Sequence, residues 1–382
     1  MERIKLARGE IILNQAIQWS IYGSNGQLLL RQGSVISKQE VIDKIFLHDP
    51  LRNAEMILNQ TLNNASSHSH LAKLPPHVIE NPFNEITRFS TRYRNLIRDV
   101  EKGDAIVSQR VMRLAADIQA LVAFDEDACL GAIHFYYDQT YTSLQPIYKA
   151  ILCELTATLL DYNATQRQSL LAAAITSNIG LTGIQEQLNK QSVPLSEQQQ
   201  KIILNAPAKA VEMLKQCGID DSAWLKTLIE NHERNDGNGY PWGLKSKHIG
   251  VFAKILGLAD TYVAMITKRA YRKAALAQSA LKEIYQMSSK EDEIIYLNFI
   301  RQLGAYPPGT MVKLANNEIA VVIYRGFGNS IMSSAMSIAD ANGKYYGNPI
   351  KRDTSLEEFK VSKIHIPTTK PDLNPDALWS YK

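Results

Sequence analysis

The sequence predicts a mainly α-helical protein, with a helical core between a small N-terminal α/β unit and a small C-terminal β domain. Apolar residues recur at helical spacing over most of the middle of the chain, and β-rich runs flank turn signals near both ends. The 382 residues also exceed the size at which one core usually stops growing. We predict an N-terminal domain at 1–62, a linker at 63–82, a helical domain at 83–304, a β domain at 305–370 and a tail at 371–382.

The N-terminal unit is predicted from a hairpin signal. Asn25-Gly26 lies between two β-rich runs from Ile11 to Leu30, and this dipeptide strongly favours a two-residue hairpin turn. Ser37 is a candidate N-cap for a helix that reaches Phe46. The polar run that follows, ahead of Pro75-Pro76, indicates a linker.

The central domain is predicted from helical periodicity. One long helical stretch should run from Pro82 to about Tyr162, with a break near Phe124–Asp127. Pro207 should end a helix that begins near Ser196, because an interior proline removes a hydrogen bond and clashes with the preceding turn. Further helices are predicted at 166–175, 207–217, 222–229, 251–266, 276–287 and 291–303.

The C-terminal domain is predicted from a change to β character at Tyr306-Pro-Pro-Gly309. Two apolar runs, Met311 to Leu314 and Ile319 to Tyr324, flank a turn at Asn316-Asn317. A second turn is expected at Asn342-Gly343.

Composition narrows the class of protein. The net charge is +4, with 42 Lys and Arg interspersed with 38 Asp and Glu, so binding to a nucleic acid polymer is not expected. The three cysteines are far apart and form no Cys-x-x-Cys pair, which argues against a disulfide framework or a zinc knuckle. No signal peptide and no membrane span are predicted, so we expect a cytoplasmic protein.

The most specific stretch runs from Asn231 to Pro241 and reads Asn-His-Glu-Arg-Asn-Asp-Gly-Asn-Gly-Tyr-Pro. It resembles the signature of HD-GYP domains, which are metal-dependent phosphohydrolases that open cyclic di-GMP in bacteria. Members of that family carry His-His-Glu, Asp-Gly-x-Gly-Tyr-Pro and a downstream Ala-Asp, and Ala259-Asp260 matches the last pair. The resemblance covers about residues 130 to 305 and implies a helical HD-domain core.

The resemblance also implies a site for two or three transition metals, commonly iron or manganese, that activates a bridging water. Of six ligand positions that align, only His232 and Asp260 keep a metal-binding residue. Two remnant ligands are too few to hold a metal tightly, so we expect no cofactor, no catalytic residue, and iron or manganese only if the site is intact. Asp260 is instead expected to pair with His232. The degenerate positions are Ser177, Asn178, Ala206 and Asn231.

Candidate nucleotide-binding residues come from a basic cluster that contains one tyrosine: Lys268, Arg269, Tyr271, Arg272 and Lys273. The arginines that align with this cluster in active relatives contact the phosphates of the substrate, and an arginine can grip a phosphate with two parallel hydrogen bonds. If the chain binds a nucleotide, the arginines should face a cleft lined by Tyr240 and His232. The nucleotide-binding candidates are Tyr240, Arg269, Arg272 and Lys273.

These features predict a catalytically degenerate HD-GYP-like protein in bacterial cyclic-di-GMP signalling, which acts as a nucleotide sensor or as a protein-interaction scaffold. The alternative is an active metal-dependent phosphodiesterase with a non-standard ligand set drawn from His134, Glu154 or Glu233. The partners considered are cyclic di-GMP, a signalling protein and a second copy of the chain.

Overall fold

A computed structural model divides the chain into two compact units, residues 1–77 and 78–382. It describes residues 3–5, 11, 17, 20–23, 27–31, 33–36, 41–42, 45, 51–53, 79–135, 141–268, 270, 272–325, 334–367 and 371–381. Within these ranges, no helix combines the length and the hydrophobicity that crossing a membrane would demand. The predicted fold class is confirmed: a mainly helical body with a small sheet towards each end of the chain.

The N-terminal unit contains a four-stranded antiparallel sheet in the order β1-β4-β2-β3. Ile21 pairs with Leu30, which confirms the two strands of the predicted hairpin, while its turn and most of the predicted linker lie outside the described residues. The helix predicted from Ser37 is described only at 41–42 and 45, which are helical. The strands are β1 (Arg3–Lys5), β2 (Ile21–Tyr22), β3 (Leu28–Leu30) and β4 (Leu51–Asn53).

The second unit is built on a central helix, α4 (Tyr141–Leu159), whose side chains are buried without interruption from Ser143 to Ala157. Because such a helix has no solvent-facing side, it must be covered by neighbours all round. Its main neighbours are α1 (Pro82–Glu101), α2 (Ile106–Phe124), α5 (Ala164–Thr176), α9 (Val251–Ile266) and α11 (Glu293–Leu303). The other helices of the bundle are α3 (Glu126–Phe135), α6 (Gln185–Lys190), α7 (Glu197–Gln216), α8 (Ser222–Glu230) and α10 (Ala277–Gln286).

Two predictions for the helical region were wrong in detail. The stretch after Pro82 has a further break at 102–105, between α1 and α2, where Gly103 adopts a positive φ of 67°. A backbone in that region favours glycine, so Gly103 was the available signal. Helix α7 also continues through Pro207 instead of ending there.

The continuity of α7 has a packing explanation. Ala206 and Pro207 are buried where the helix meets a short 3-10 turn, Ile179–Leu181. The approach is so close that a Cβ added to Gly180 would lie 2.0 Å from the carbonyl oxygen of Ala206. Tertiary packing of this kind outweighs the unfavourable helix propensity of one proline.

The C-terminal β domain is a five-stranded antiparallel sheet in the order β8-β7-β6-β5-β9. Both predicted turns are confirmed, since Asn317 and Gly343 have positive φ values of 70° and 83° between paired strands. The strands are β5 (Met311–Leu314), β6 (Ile319–Tyr324), β7 (Ser334–Ala339), β8 (Tyr345–Asp353) and β9 (Val361–Ile364).

Buried contacts join the sheet to the helices. The guanidinium of Arg325 lies 2.8 Å from Glu126 and 3.2 Å from Asp127 at the start of α3. The segment predicted as a tail includes a short helix, α12 (Pro375–Trp379), and the ring of Trp379 packs edge-on against Phe83 with a centroid distance of 5.2 Å. Within the described part of the second unit, the sheet is therefore joined to α3, and the C-terminal helix α12 is joined to α1.

Candidate functional site

The turn from Asn231 to Pro241 follows helix α8, whose N-terminus is capped by the carboxylate of Asp221. Glu233 holds the turn: its two carboxylate oxygens accept hydrogen bonds from the backbone N–H groups of Trp242 at 2.7 Å and Leu244 at 2.8 Å. Gly239 passes so close to the start of the turn that an added Cβ would lie 2.3 Å from the backbone nitrogen of Arg234. Only glycine fits there, which explains its place in the motif.

This turn presents an aromatic pair to a cavity. The rings of His232 and Tyr240 are stacked, with centroids 4.8 Å apart and planes 19° from parallel. Burial lowers the pKa of His232 to about 4, the nearby carboxylate of Asp260 opposes that change, and the positive charges of Lys149 and Arg234 add to it. The imidazole is therefore neutral at physiological pH.

The cavity has a volume of about 530 Å³ and opens beside the His232–Tyr240 pair. Its lining also includes Asn178 and Asp260, so the structure brings four of the sequence-predicted site residues together around one space. Amide side chains, among them Gln145, and apolar side chains, among them Leu181, complete the lining. This is the size of space that holds a small organic ligand.

Lys149 of the central helix α4 contacts two residues of the cavity lining, and the sequence analysis did not identify it. Its side chain has no solvent exposure, and its ammonium group donates hydrogen bonds to Ser177 Oγ, to Asn178 Oδ1 at 2.9 Å and to Asp260 Oδ1 at 3.2 Å. A signal was available: Gln145 and Lys149 are four residues apart, share one face of α4 and interrupt an otherwise apolar run.

Asp260 has Lys149 as its hydrogen-bonding partner instead of the expected His232. Burial would raise the pKa of this carboxyl group, but the charge of Lys149, the nearby His232 and the hydrogen bond from Lys149 together lower it below its usual value. Asp260 is therefore ionised, and its charge is balanced by a lysine.

Most of the positions predicted to be degenerate form contacts within the protein. The hydroxyl of Ser177 donates to the carbonyl oxygen of Ala174 at 2.8 Å, and the amide nitrogen of Asn178 donates to Gln145 Oε1 at 3.0 Å. Ala206 packs on Gly180 through its backbone. The side chain of Asn231 is buried, and its Oδ1 has no hydrogen-bond partner among the described residues.

The residues of this site do not fit a cluster of transition metals. Over the ranges that the structure describes, no group of three or more His, Cys, Asp or Glu side chains is placed to hold a metal ion. Serine and asparagine are poor ligands for iron or manganese, and alanine is none. The ammonium of Lys149 also places a positive charge against Asp260, the carboxylate that a metal would need.

The three residues considered as substitute ligands are bound elsewhere. His134 donates from Nδ1 to the carbonyl oxygen of Leu130 at 2.9 Å, and its Nε2 lies 2.8 Å from the hydroxyl of Tyr262. Glu154 forms an ion pair with Arg167 at 2.8 Å. Glu154 also accepts a hydrogen bond from Gln119 at 3.2 Å through its second oxygen, so all three side chains, including Glu233 in the turn, have partners within the protein.

The basic cluster is only partly described. Arg269 lies outside the described residues, so its predicted position at the cleft is not observed. Arg272 and Lys273 are exposed, and Arg272 Nη2 donates to the carbonyl oxygen of Ala264 at 2.5 Å. Neither of these two belongs to the cavity lining.

Comparison with known proteins finds several that this chain resembles. A family model described as HD domain matches residues 135–293. A cyclic di-GMP phosphodiesterase of Pseudomonas aeruginosa is 24% identical over 64% of this chain and 59% of its own length, and one of Borreliella burgdorferi is 26% identical over 48% of each. A solved HDG"Y"P protein from Bdellovibrio bacteriovorus has 14% identity and a TM-score of 0.49, and the match covers 78% of this chain and 98% of that one. The chain thus spans about half to three fifths of the length of these two phosphodiesterases.

Proposed function

We infer that this chain belongs to the HD-GYP branch of the HD-domain family, and from that premise we propose that it acts in bacterial cyclic-di-GMP signalling as a catalytically inactive nucleotide-binding protein. The two relatives described above are named as cyclic di-GMP phosphodiesterases, which supports the signalling role. The inactive role is supported by the loss of four ligand positions. The observation that carries the proposal is the cavity of about 530 Å³, which stays open beside His232 and Tyr240 although the ligands are lost.

The loss of catalysis follows from the chemistry of the reaction. A metal-bound water has a pKa near 7, whereas bulk water is near 15.7, and this difference corresponds to roughly 12 kcal/mol of nucleophile activation. A single general base contributes only about 10²- to 10⁴-fold, so His232 alone does not replace the metal. The same residue is neutral and stacked on Tyr240, an arrangement suited to contact with a planar base.

The binding role is proposed for two parts of the chain. Tyr240 offers an aromatic surface within the cavity. Arg269, Arg272 and Lys273 are proposed to contact the phosphates, which would require Arg272 to leave its hydrogen bond with the carbonyl group of Ala264. Charge-assisted contacts of this kind are worth about 1.5 to 3 kcal/mol each.

Calorimetric titration of the full chain with cyclic di-GMP tests this proposal. Loss of one stacking contact in Tyr240→Ala should weaken binding roughly 5- to 150-fold, and Arg269→Ala or Arg272→Ala should weaken it roughly 10- to 150-fold. Tyr345→Ala is the matched control, because Tyr345 is an exposed tyrosine on the β domain. If the unmodified protein shows no binding at high micromolar nucleotide, the sensor role is wrong and the scaffold role remains.

A further inference from the structure

The strongest unexplained feature of the molecule is the charged side chain of Lys149 in the middle of the buried central helix. Lysines are rarely fully buried, because their charge must be removed from water and paired. A lysine ammonium has three N–H donors and no acceptor. In this structure the three acceptors around it are Ser177 Oγ, Asn178 Oδ1 and Asp260 Oδ1.

The neighbours of Lys149 are arranged to face it with oxygen lone pairs. The hydroxyl of Ser177 donates its hydrogen bond to the carbonyl oxygen of Ala174, so the hydroxyl oxygen is left to accept from the lysine. The side-chain NH₂ group of Asn178 donates to Gln145, so the oxygen of the same amide faces the ammonium of Lys149. Two of the degenerate positions are therefore the neutral acceptors that a lysine cation needs in addition to Asp260.

A metal site at these positions needs the opposite arrangement. A metal site requires several carboxylate or imidazole ligands around an empty position for the ion. In this structure the ammonium of Lys149, which is part of the chain, occupies that position. A divalent ion would be repelled by the ammonium and would compete with it for the same Asp260 oxygen. The ammonium of Lys149 and a divalent ion would therefore compete for the carboxylate of Asp260.

We propose that the Lys149 ammonium is the built-in cation of this site: it takes the place of the metal charge, holds Asp260 in position and closes the site to divalent metals. Lys149 acts through Asp260, Ser177 and Asn178 and is a positioning residue. This inference rests on the proposed loss of catalysis, but it does not depend on nucleotide binding, so the titration with cyclic di-GMP and the tests below can fail separately.

The first test measures binding of Mn²⁺ alone to the full chain. Lys149→Glu replaces the ammonium by a carboxylate whose oxygens lie near the present Cε, so an ion bound to them would lie near the present position of Nζ. With His232 and Asp260, which line the same cavity, it raises the number of candidate protein ligands to three, the number typical of a catalytic metal site. We expect Mn²⁺ to bind this variant on the order of 100-fold more tightly than the unmodified chain, with one ion per chain; the factor corresponds to roughly 2.7 kcal/mol.

Lys149→Glu needs a control for simple loss of the lysine. Lys149→Met removes the charge, keeps a long apolar side chain and adds no carboxylate ligand, so its affinity for Mn²⁺ should increase less than that of Lys149→Glu. Stoichiometric manganese in the unmodified chain, with an affinity that neither substitution raises, would overturn the proposal.

A second test does not require the glutamate variant to fold. Breaking a buried ion pair leaves an unpaired charge, so Lys149→Met should lower the melting temperature by on the order of 10 °C. Asp260→Asn in the same chain removes the stranded carboxylate and should recover more than half of that loss. Additive losses in the double variant would contradict the assigned pairing.

The chain offers a matched control for this cycle. Lys254 and Asp292 form another ion pair that is largely shielded from solvent, 2.6 Å apart, and neither residue lines the cavity. Lys254→Met should also lower the melting temperature, but Asp260→Asn should not rescue it, and its affinity for Mn²⁺ should equal that of the unmodified chain. Rescue of Lys254→Met by Asp260→Asn would show that the recovery is not specific to Lys149.

Discussion

Glu233 provides the sharpest stability test of the site, because it is both a candidate ligand in the alternative reading and the residue that holds the Gly-Tyr-Pro turn. Its side chain is buried, and its two oxygens accept from the backbone N–H groups of Trp242 and Leu244 at 2.7 and 2.8 Å. Hydrogen bonds to a charged group contribute about 1.5 to 3 kcal/mol each, so Glu233→Ala should cost about 3 to 6 kcal/mol.

The measurement is thermal unfolding of the full chain at neutral pH. A loss of this size should lower the melting temperature of Glu233→Ala by roughly 5 to 15 °C, and Glu233→Gln, which keeps one acceptor oxygen, should show about half of that shift. Glu283→Gln is the control, because Glu283 is exposed on α10 and should change stability by less than about 0.5 kcal/mol.

The same measurement tests the alternative function, an active phosphodiesterase in which Glu233 is a metal ligand. If Glu233→Ala melts within about 1 °C of the unmodified protein, the turn does not depend on these hydrogen bonds. The carboxylate would then be free to serve as a ligand, and the structural account of the turn would be wrong.

Two further predictions concern other buried contacts of the second unit. Burial raises the pKa of Asp127 to about 7, although the charge of Arg325 opposes this shift. The folded state therefore holds the proton of Asp127 more tightly than the unfolded state does. The free energy of unfolding should fall as pH rises from about 4 to 7, by on the order of 4 kcal/mol from this group. Asp127→Asn should flatten that part of a melting-temperature profile against pH, and unchanged slopes would refute the assignment. Gly180→Ala should cost about 1 to 3 kcal/mol or more because its Cβ would meet the backbone of Ala206, whereas Gly347→Ala, where the added Cβ has open space, should be neutral in the same unfolding assay.

Most of the fold could be predicted because the local signals agree with the tertiary structure. The predicted range of α9, Val251 to Ile266, and the predicted runs of β5 and β6 match the observed elements. Their apolar periodicity and flanking turn residues point to the same structure at each level. Pro207 is the instructive exception, because the contact that carries α7 through it involves Gly180, which is distant in sequence.

The candidate site was less accessible from sequence. The Asn231–Pro241 stretch is specific enough to point to the candidate site, and the proposed ligand replacements can be named from the resemblance alone. The partner of Asp260 could not be named in this way, because periodicity indicates that α4 is buried but not which helix faces each of its polar residues. Lys149 lies 111 positions from Asp260, and only the packing of α4, α5 and α9 brings the two residues together.

The central claim is that this chain keeps the HD-GYP site without its chemistry, and hydrolysis of cyclic di-GMP by the purified full chain in the presence of manganese or iron tests it most directly. We expect no turnover, because Ser177, Asn178, Ala206 and Asn231 occupy the positions at which we propose that ligands are lost, and because Lys149 donates a hydrogen bond to Asp260. Metal-dependent turnover that is abolished by His232→Ala would contradict the account.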